Sequence, residues 1–399
     1  MKTSSLNIIT SSLIVGICSF LLFSFRQDIF DFALSVKDSS NSLFQTFKAN
    51  NNNKNITSIT TSVAAEILPT TTQVQNITAP SSSPSSSSSS SKMASKFLPR
   101  AIRKTVLALE QSEGAGARVR RSIGTPSLRN LTPFLMLDHF SVSPGAGFPD
   151  HPHRGQETIT YLIKGGMDHE DFAGNKGTIN SGDLQFMTAG RGIMHAEMPR
   201  QNADGSANVG LQLWVDLPRE LKYCEPRYRD LKAHEIPEVQ GDEGRVKVKV
   251  ISGEFNGVES AKDLAYTPVV FYDVEVKPGG RVELKVDQGF SVFAYILEGE
   301  VTFGGEAEGR QPIKEFHNVV FEDDRGEGVV AAVAEDAEKP AKFVVIGGKR
   351  LDQPVVQYGP FVVNSKDEVY QTFVDYQSHS NGFERAKGWK SEIGKTMVH

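Results

Sequence analysis

The stretch DHPHRGQETITYLIKGG, Asp150 to Gly166, sets two histidines one residue apart and follows them with a carboxylate. Side chains of an extended strand alternate between its two faces, so His151 and His153 point the same way. Carried on in the same parity, Glu157 joins them. Farther along, GDLQFMTAGRGIMHAEMP (Gly182 to Pro199) repeats the arrangement with His195 and Glu197, again two apart. Two adjacent strands would then bring three imidazoles and a carboxylate to one point. Imidazole and carboxylate together select a divalent transition metal, Fe, Mn, Ni, Cu or Zn, over Ca or Mg. A single HxH is a weak signal, because histidines also serve as hydrogen-bonded residues of an ordinary core. Coupled to HxE on a second strand it reads as a metal motif. Spacing alone leaves open whether Glu157 or Glu197 supplies the carboxylate.

Strands must position these residues, and the rest of the chain from Lys96 reads as strands. GRVKVKVISG (Gly244 to Gly253), VEVKPGGRVELKV (Val274 to Val286) and FAYILEGEVTFGG (Phe293 to Gly305) alternate apolar with polar residues between Gly- and Pro-containing turns. Many short strands with frequent turns predict a sandwich or barrel. TYLIKGG (Thr160 to Gly166) and AYILEGE (Ala294 to Glu300) echo one another, each an apolar strand running into a glycine turn. Two similar β-domains in tandem, 96–235 and 236–399, account for both the echo and the length. Aligning the echoes sets Lys285 and Asp287 where His151 and His153 stand, so the second domain is expected to lack a metal site.

At 399 residues the chain exceeds one ordinary domain, and its net charge of −5 argues against direct contact with nucleic acid. Cys18 and Cys224 are the only cysteines, too few for a disulfide framework or a cysteine-rich zinc site. The first part of the chain differs in character. Ile8 to Phe25 carries no charge, and as a helix it would nearly cross a bilayer core of roughly 30 Å. Residues 1–27 therefore read as a signal or anchor segment. Residues 28–95, rich in Ser, Thr and Asn and ending in SSSPSSSSSSS, read as a disordered linker. Asn55-Ile-Thr57 and Asn76-Ile-Thr78 are glycosylation sequons that matter only on a secretory route.

GFPDHPHRG.ET, DFAG.KGTI, GDLQFMTAGRGIMHAEMP, LQLWVDLP and the late PVVQYGPFVVN together resemble the pirin family of the cupin superfamily, over about Phe97 to Ile393. The resemblance implies an all-β fold of two tandem jelly-roll barrels, the N-terminal one carrying one iron and the C-terminal one without ligands. It implies His151, His153, His195 and Glu197 as ligands, with Glu157 left to orient one of them. Fe(II) so held leaves two positions open, which suits an oxygenase. The resemblance further implies a flavonol substrate of the quercetin type, opened by dioxygen, with Glu197 as the catalytic base. It equally implies a non-enzymatic, redox-sensing nuclear co-regulator with a transcription-factor partner. In either case a monomer of nucleus and cytoplasm is expected, against the membrane or secretory route suggested by residues 8–25.

The chain departs from the family pattern at His139, where an acid is usual, at Gln156 in place of an aromatic residue, and at Asn175 in place of a histidine. These substitutions are expected to change the pocket's shape and polarity. Arg154 and Arg191 flank the ligand motifs and suit either an anionic substrate or plain surface and strand-pairing roles. Arg118, Arg120 and Arg121 read as a solvated strand face. His169 reads as a turn histidine. Phe383, Ala386, Trp389 and Ile393 fall at helical spacing and predict a docked terminal helix.

Overall fold

The computed structural model describes residues 97–113, 116–260, 264–304 and 311–396. The expected apolar segment 1–27 and the linker 28–95 lie outside the described residues. Among the described residues no helix is long and apolar enough to cross a membrane.

Two seven-stranded antiparallel sheets dominate. The first runs in the order Arg227–Leu231, Leu184–Thr188, Gln156–Lys164, Asn208–Asp216, Phe134–Val142, Ala117–Ile123 and Glu110–Glu113. The second runs Ile102–Leu107, His317–Phe321, Phe290–Glu298, Ala341–Lys349, Val269–Val276, Val246–Ser252 and Glu238–Gly241. Each has a four-stranded companion: Phe148–His153, Ile193–Pro199, Gly166–Asp171 and Lys176–Asn180 for the first, and Arg281–Lys285, Gly328–Ala332, Glu300–Phe303 and Ile313–Lys314 for the second. The result is two jelly-roll barrels. The echoed segments, in Gln156–Lys164 and Phe290–Glu298, occupy the third position of their respective sheets.

Alternation along the central strands assigns each face. In the second barrel Val292, Ala294 and Ile296 turn into the barrel's own core with Phe343, Val345 and Val319. Phe293 and Tyr295, one residue out of phase, join an inter-barrel core with Phe134, Leu137, Ile159, Tyr161, Leu211 and Leu213 of the first sheet. The first barrel uses the same phase differently. Residues facing inward there include Met136, Asp138, Thr160, Gln212 and Trp214, which line a cavity instead of closing a core. One fold thus gives a filled barrel and a hollow one, and the inward-facing residue types decide which.

The barrels are not contiguous in the chain. The strand Ile102–Leu107 precedes the first barrel yet pairs with His317–Phe321 of the second, Thr105 opposite Val319. The end of the chain returns to the first barrel, with Phe361 bridged to Arg154. That return includes the helix Lys366–Ser378, whose Ser365 Oγ accepts from the Glu368 backbone N–H. The S-x-x-E signature announces this helix in the sequence. The helix expected over Phe383–Ile393 does not form. Two short 3-10 turns, Glu384–Ala386 and Ile393–Thr396, stand there instead, with Gly388 at φ +71° interrupting the backbone between them. The segment docks all the same: Phe383 is fully buried against Phe361 and Tyr376.

His139 faces the second barrel, where its Nδ1 lies 3.3 Å from the Tyr295 hydroxyl. Burial, with the Arg120 guanidinium nearby, lowers its pKa to about 4. The folded protein therefore holds this imidazole neutral while the unfolded chain protonates it near pH 6.5. The associated stability is complete above that pH and is lost as pH falls from 6.5 toward 4. Urea unfolding across this window should show a falling stability, with a His139 contribution of up to about 1.4 kcal/mol per pH unit. The His139→Gln variant should show a flatter profile; identical slopes would contradict the assignment.

Candidate metal centre

The HPH strand Phe148–His153 and the HAE strand Ile193–Pro199 are antiparallel neighbours, with His195 directly opposite His151. Ring centroids of His151, His153 and His195 lie 4.4 to 5.0 Å apart. One nitrogen from each ring falls within 4.8 Å of the others, forming the one such group of three or more His, Cys, Asp or Glu among the described residues. The His195 and His151 Nε2 atoms are 3.0 Å apart. Buried Nε2 of His153 has no hydrogen-bond partner. Burial lowers the pKa of all three imidazoles, most strongly for His153 and His195, and the neighbouring histidines add to the effect at those two. Neutral rings with convergent lone pairs are what a divalent transition metal requires. The donors therefore fit such an ion.

Glu197 is on the same strand but its carboxylate stands outside that group. A register shift separates it from His195, and its Oε1 accepts from the Thr160 hydroxyl at 3.1 Å. Burial raises its pKa against the effect of that hydrogen bond. It lines the same cavity as His151 and His153.

Glu157 does not share the face of His153, which corrects the parity expected for it. The chain turns at Arg154 and Gly155, with Gly155 at φ +76°, so the next strand starts afresh at Gln156. Glu157 points toward the second barrel and accepts from the backbone N–H groups of Tyr266 and Thr267, both at 3.0 Å, and from the Thr188 hydroxyl. It is neither a ligand candidate nor in contact with one. Gln156 takes the inward position instead, its Nε2 2.7 Å from His153 Nδ1.

That turn is clamped. A Cβ on Gly155 would sit 1.9 Å from the Val362 carbonyl oxygen, so only glycine fits. Buried Lys222 donates to the carbonyls of Gly155 and Val362 at 2.7 and 3.0 Å and pairs with Asp216. Arg154 is 1% exposed, which excludes the surface role considered for it. Its guanidinium pairs with Asp375 at 2.8 Å and donates to the Asn381 carbonyl, and its Nε donates to the Arg191 carbonyl. Arg191 itself lies outside the cavity, paired with Glu225 and Glu384.

Other sequence candidates resolve as follows. His169 lies on a strand opposite Glu197, stacked on Tyr228, with Nε2 3.5 Å from Asp230. Asn175 donates to Asp171, closing a turn. Arg118 and Arg120 pair with Glu110, and Arg121 with Asp138 and Glu113. Of the three departures from the family pattern, only Gln156 touches the triad. In the second barrel, Arg100 donates to the carbonyls of Val286, Asp287 and Phe290, around the position aligned with His153. Sequence reasoning missed Lys222 and Arg100, which lie in no motif, and Thr160 and Trp214, which lie in the quoted TYLIKGG and LQLWVDLP segments but carry no mark of their inward position.

The cavity beside the triad has a volume of about 470 Å³. Met136, Phe140, Phe148, Met167 and Trp214 form its apolar walls, and Gln357, Gly359 and Pro360 of the returning chain contribute to its lining.

Comparison with known proteins accords with this architecture. A family model described as Pirin matches residues 116–215, and one described as Pirin C-terminal cupin domain matches residues 271–382. A pirin-like protein of Solanum lycopersicum is 48% identical over 294 residues, 74% of this chain and 97% of that protein. Pirin of Homo sapiens is 48% identical over 291 residues, 73% of this chain and 97% of its own. The chain belongs to the pirin family. Among solved structures, a quercetin 2,3-dioxygenase of Acinetobacter baumannii superposes with a TM-score of 0.63 at 29% identity, covering 70% of this chain and 98% of that one. The pirin-family barrels here are accordingly cupins, with a histidine triad in the first.

Breaking the clamp should be costly, because it strands a buried charge. Although burial opposes it, hydrogen bonds from Arg154, Asn381 and Gln371 hold the Asp375 carboxyl below its usual range. Asp375→Ala should lower unfolding free energy by about 3–5 kcal/mol in urea titrations. A loss below about 1 kcal/mol would mean the pair is not the anchor of the returning chain.

Proposed function

We propose that the first barrel holds one Fe(II) on His151, His153 and His195, with Glu197 as fourth donor, and that the protein is a dioxygenase that opens a flavonol-type ring. The observation that carries this reading is the cavity: its volume lies within the range of small-molecule sites, about 300–1,000 Å³, and His151, His153 and Glu197 open onto it. Similarity to the Acinetobacter baumannii quercetin 2,3-dioxygenase supports the choice of substrate class.

Bound iron supplies redox chemistry between dioxygen and a chelated, electron-rich substrate. The chain's own residues do the rest. Trp214, Phe140 and Phe148 give a planar aromatic ligand apolar surfaces to lie against. Glu197, its basicity raised by burial, takes the flavonol hydroxyl proton onto a carboxylate oxygen. Thr160 holds the other end of that carboxyl in place, and is itself 2.5 Å from Gln212 Oε1. Gly359 and Pro360 of the returning chain line the same cavity.

A second reading is an iron-dependent redox sensor of nucleus and cytoplasm that meets a transcription-factor partner. Exposed Tyr223, Tyr370 and Val374 favour it, the last two on the helix Lys366–Ser378 and the first hydrogen-bonded to that helix at Glu368. Buried Arg154 takes no part in such a surface.

Oxygen uptake on adding quercetin to protein loaded anaerobically with Fe(II) separates the two. Iron-dependent uptake is expected, abolished by chelator and reduced about 10²–10⁴-fold in Glu197→Gln. Stoichiometric iron without uptake would end the dioxygenase reading and leave the sensor.

A further inference from the structure

Each triad histidine has a second ring nitrogen, and what holds it decides which nitrogen presents a lone pair to the ion. His151 Nδ1 donates to the Pro149 carbonyl at 2.7 Å, which leaves Nε2 bare toward the cluster. His195 Nδ1 is buried without a partner. His153 differs: its Nδ1 meets a side chain, Gln156, at 2.7 Å. Gln156 is fully buried, its Oε1 has no partner, and its Nε2 is 3.4 Å from the Pro360 carbonyl.

We infer that Gln156 is a positioning residue that sets the tautomer of His153 and thereby tunes the metal. The inference rests on the metal reading above and deepens it. With the amide nitrogen toward Nδ1, the ring proton must sit on Nε2, the atom that faces the cluster. A half-turn of the terminal amide exchanges two groups of nearly equal shape. It sets Oε1 against Nδ1–H, so the proton moves off Nε2 and the lone pair there is free to ligate. The amide serves both tautomers without a change in volume. Among the three imidazoles, His153 alone has its outer nitrogen governed by a group that substitution can alter. The Trp214 ring, edge-on to His153 at 5.2 Å, holds the imidazole in place, and the turned amide gives up only its long, 3.4 Å approach to the Pro360 carbonyl.

The test compares wild type, Gln156→Leu and Gln156→Glu by anaerobic Fe(II) titration against a competing chelator, by the visible absorption of the Co(II)-substituted protein, and by the iron midpoint potential. Leucine keeps bulk and removes the acceptor, so the metal Kd should weaken about 10–100-fold with a shifted Co(II) spectrum. An ionised glutamate can only accept, so at a pH where it is ionised Gln156→Glu should bind at least as tightly as wild type, with a lower Fe(III)/Fe(II) potential. A merely structural tie to Pro360 would instead lower Tm alike in both variants and leave affinity and spectrum unchanged. Wild-type binding with an unaltered Kd and spectrum in Gln156→Leu would overturn this inference while the metal reading stands. Should the leucine variant fail to fold, weaker binding or an unchanged potential in Gln156→Glu overturns it. Folded wild type that takes up no metal overturns both.

Discussion

The turn at Arg154 and Gly155 is the constraint on which the rest of the molecule depends. It carries the chain from the strand holding His151 and His153 into the central strand of the first barrel. Two buried cations, Lys222 and Arg154, secure it from either side by bonding to backbone carbonyls and to buried Asp216 and Asp375. Burying such charges unpaired would be expensive, so each cation obliges its acid and its carbonyls to stay in place. The consequence extends outward: the histidines are held at their convergence, and the returning segment around Pro360 and Val362 is held over the cavity.

The contrast between the barrels follows from side-chain type at equivalent inward positions. Valine, alanine, isoleucine and phenylalanine pack against one another in the core of the second barrel. Thr160, Gln212, Asp138 and the histidines do not close upon one another in the first, and the apolar residues among them form walls. Arg100 in the second barrel and Lys222 in the first bind carbonyls of equivalent loops, so the same backbone need is met by a cation from a different part of the chain. The shared sheet order survives the divergence because the outward face of both sheets remains apolar and mutually buried.

The barrels, the echo between them and the triad were all legible in the sequence, because alternation with period two and paired HxH and HxE motifs report directly on strand faces. Glu157 shows where this reasoning ends. Parity counts through a strand, and the Gly155 turn resets it, but a lone glycine after HPHR does not declare its φ angle. The terminal helix was misplaced for a related reason: Phe383, Ala386 and Ile393 have helical spacing, yet burial in an irregular segment needs only that apolar residues recur. Gln156, Lys222 and Arg100 left no trace, since their partners are backbone carbonyls or a ring nitrogen brought together only by the tertiary fold. The exchange of the strand Ile102–Leu107 was likewise invisible, because no local pattern says which sheet a strand will join.

That exchange governs the order in which the molecule can be made. Arg103 meets Asp323 across 220 residues, and Arg154 meets Asp375 across 221. A chain emerging from the ribosome presents the strands of the first barrel before those of the second, and the helix Lys366–Ser378 that anchors it follows both. Loops this long must be closed before their contacts stabilise anything, which slows assembly. The second barrel's edge strand is meanwhile synthesised before its partner and must wait, with Val106 uncovered, until His317–Phe321 arrives. The described body is therefore a single topological closure: the pocket beside the triad is complete only when the returning segment is in place, and neither barrel is built from one continuous stretch of chain.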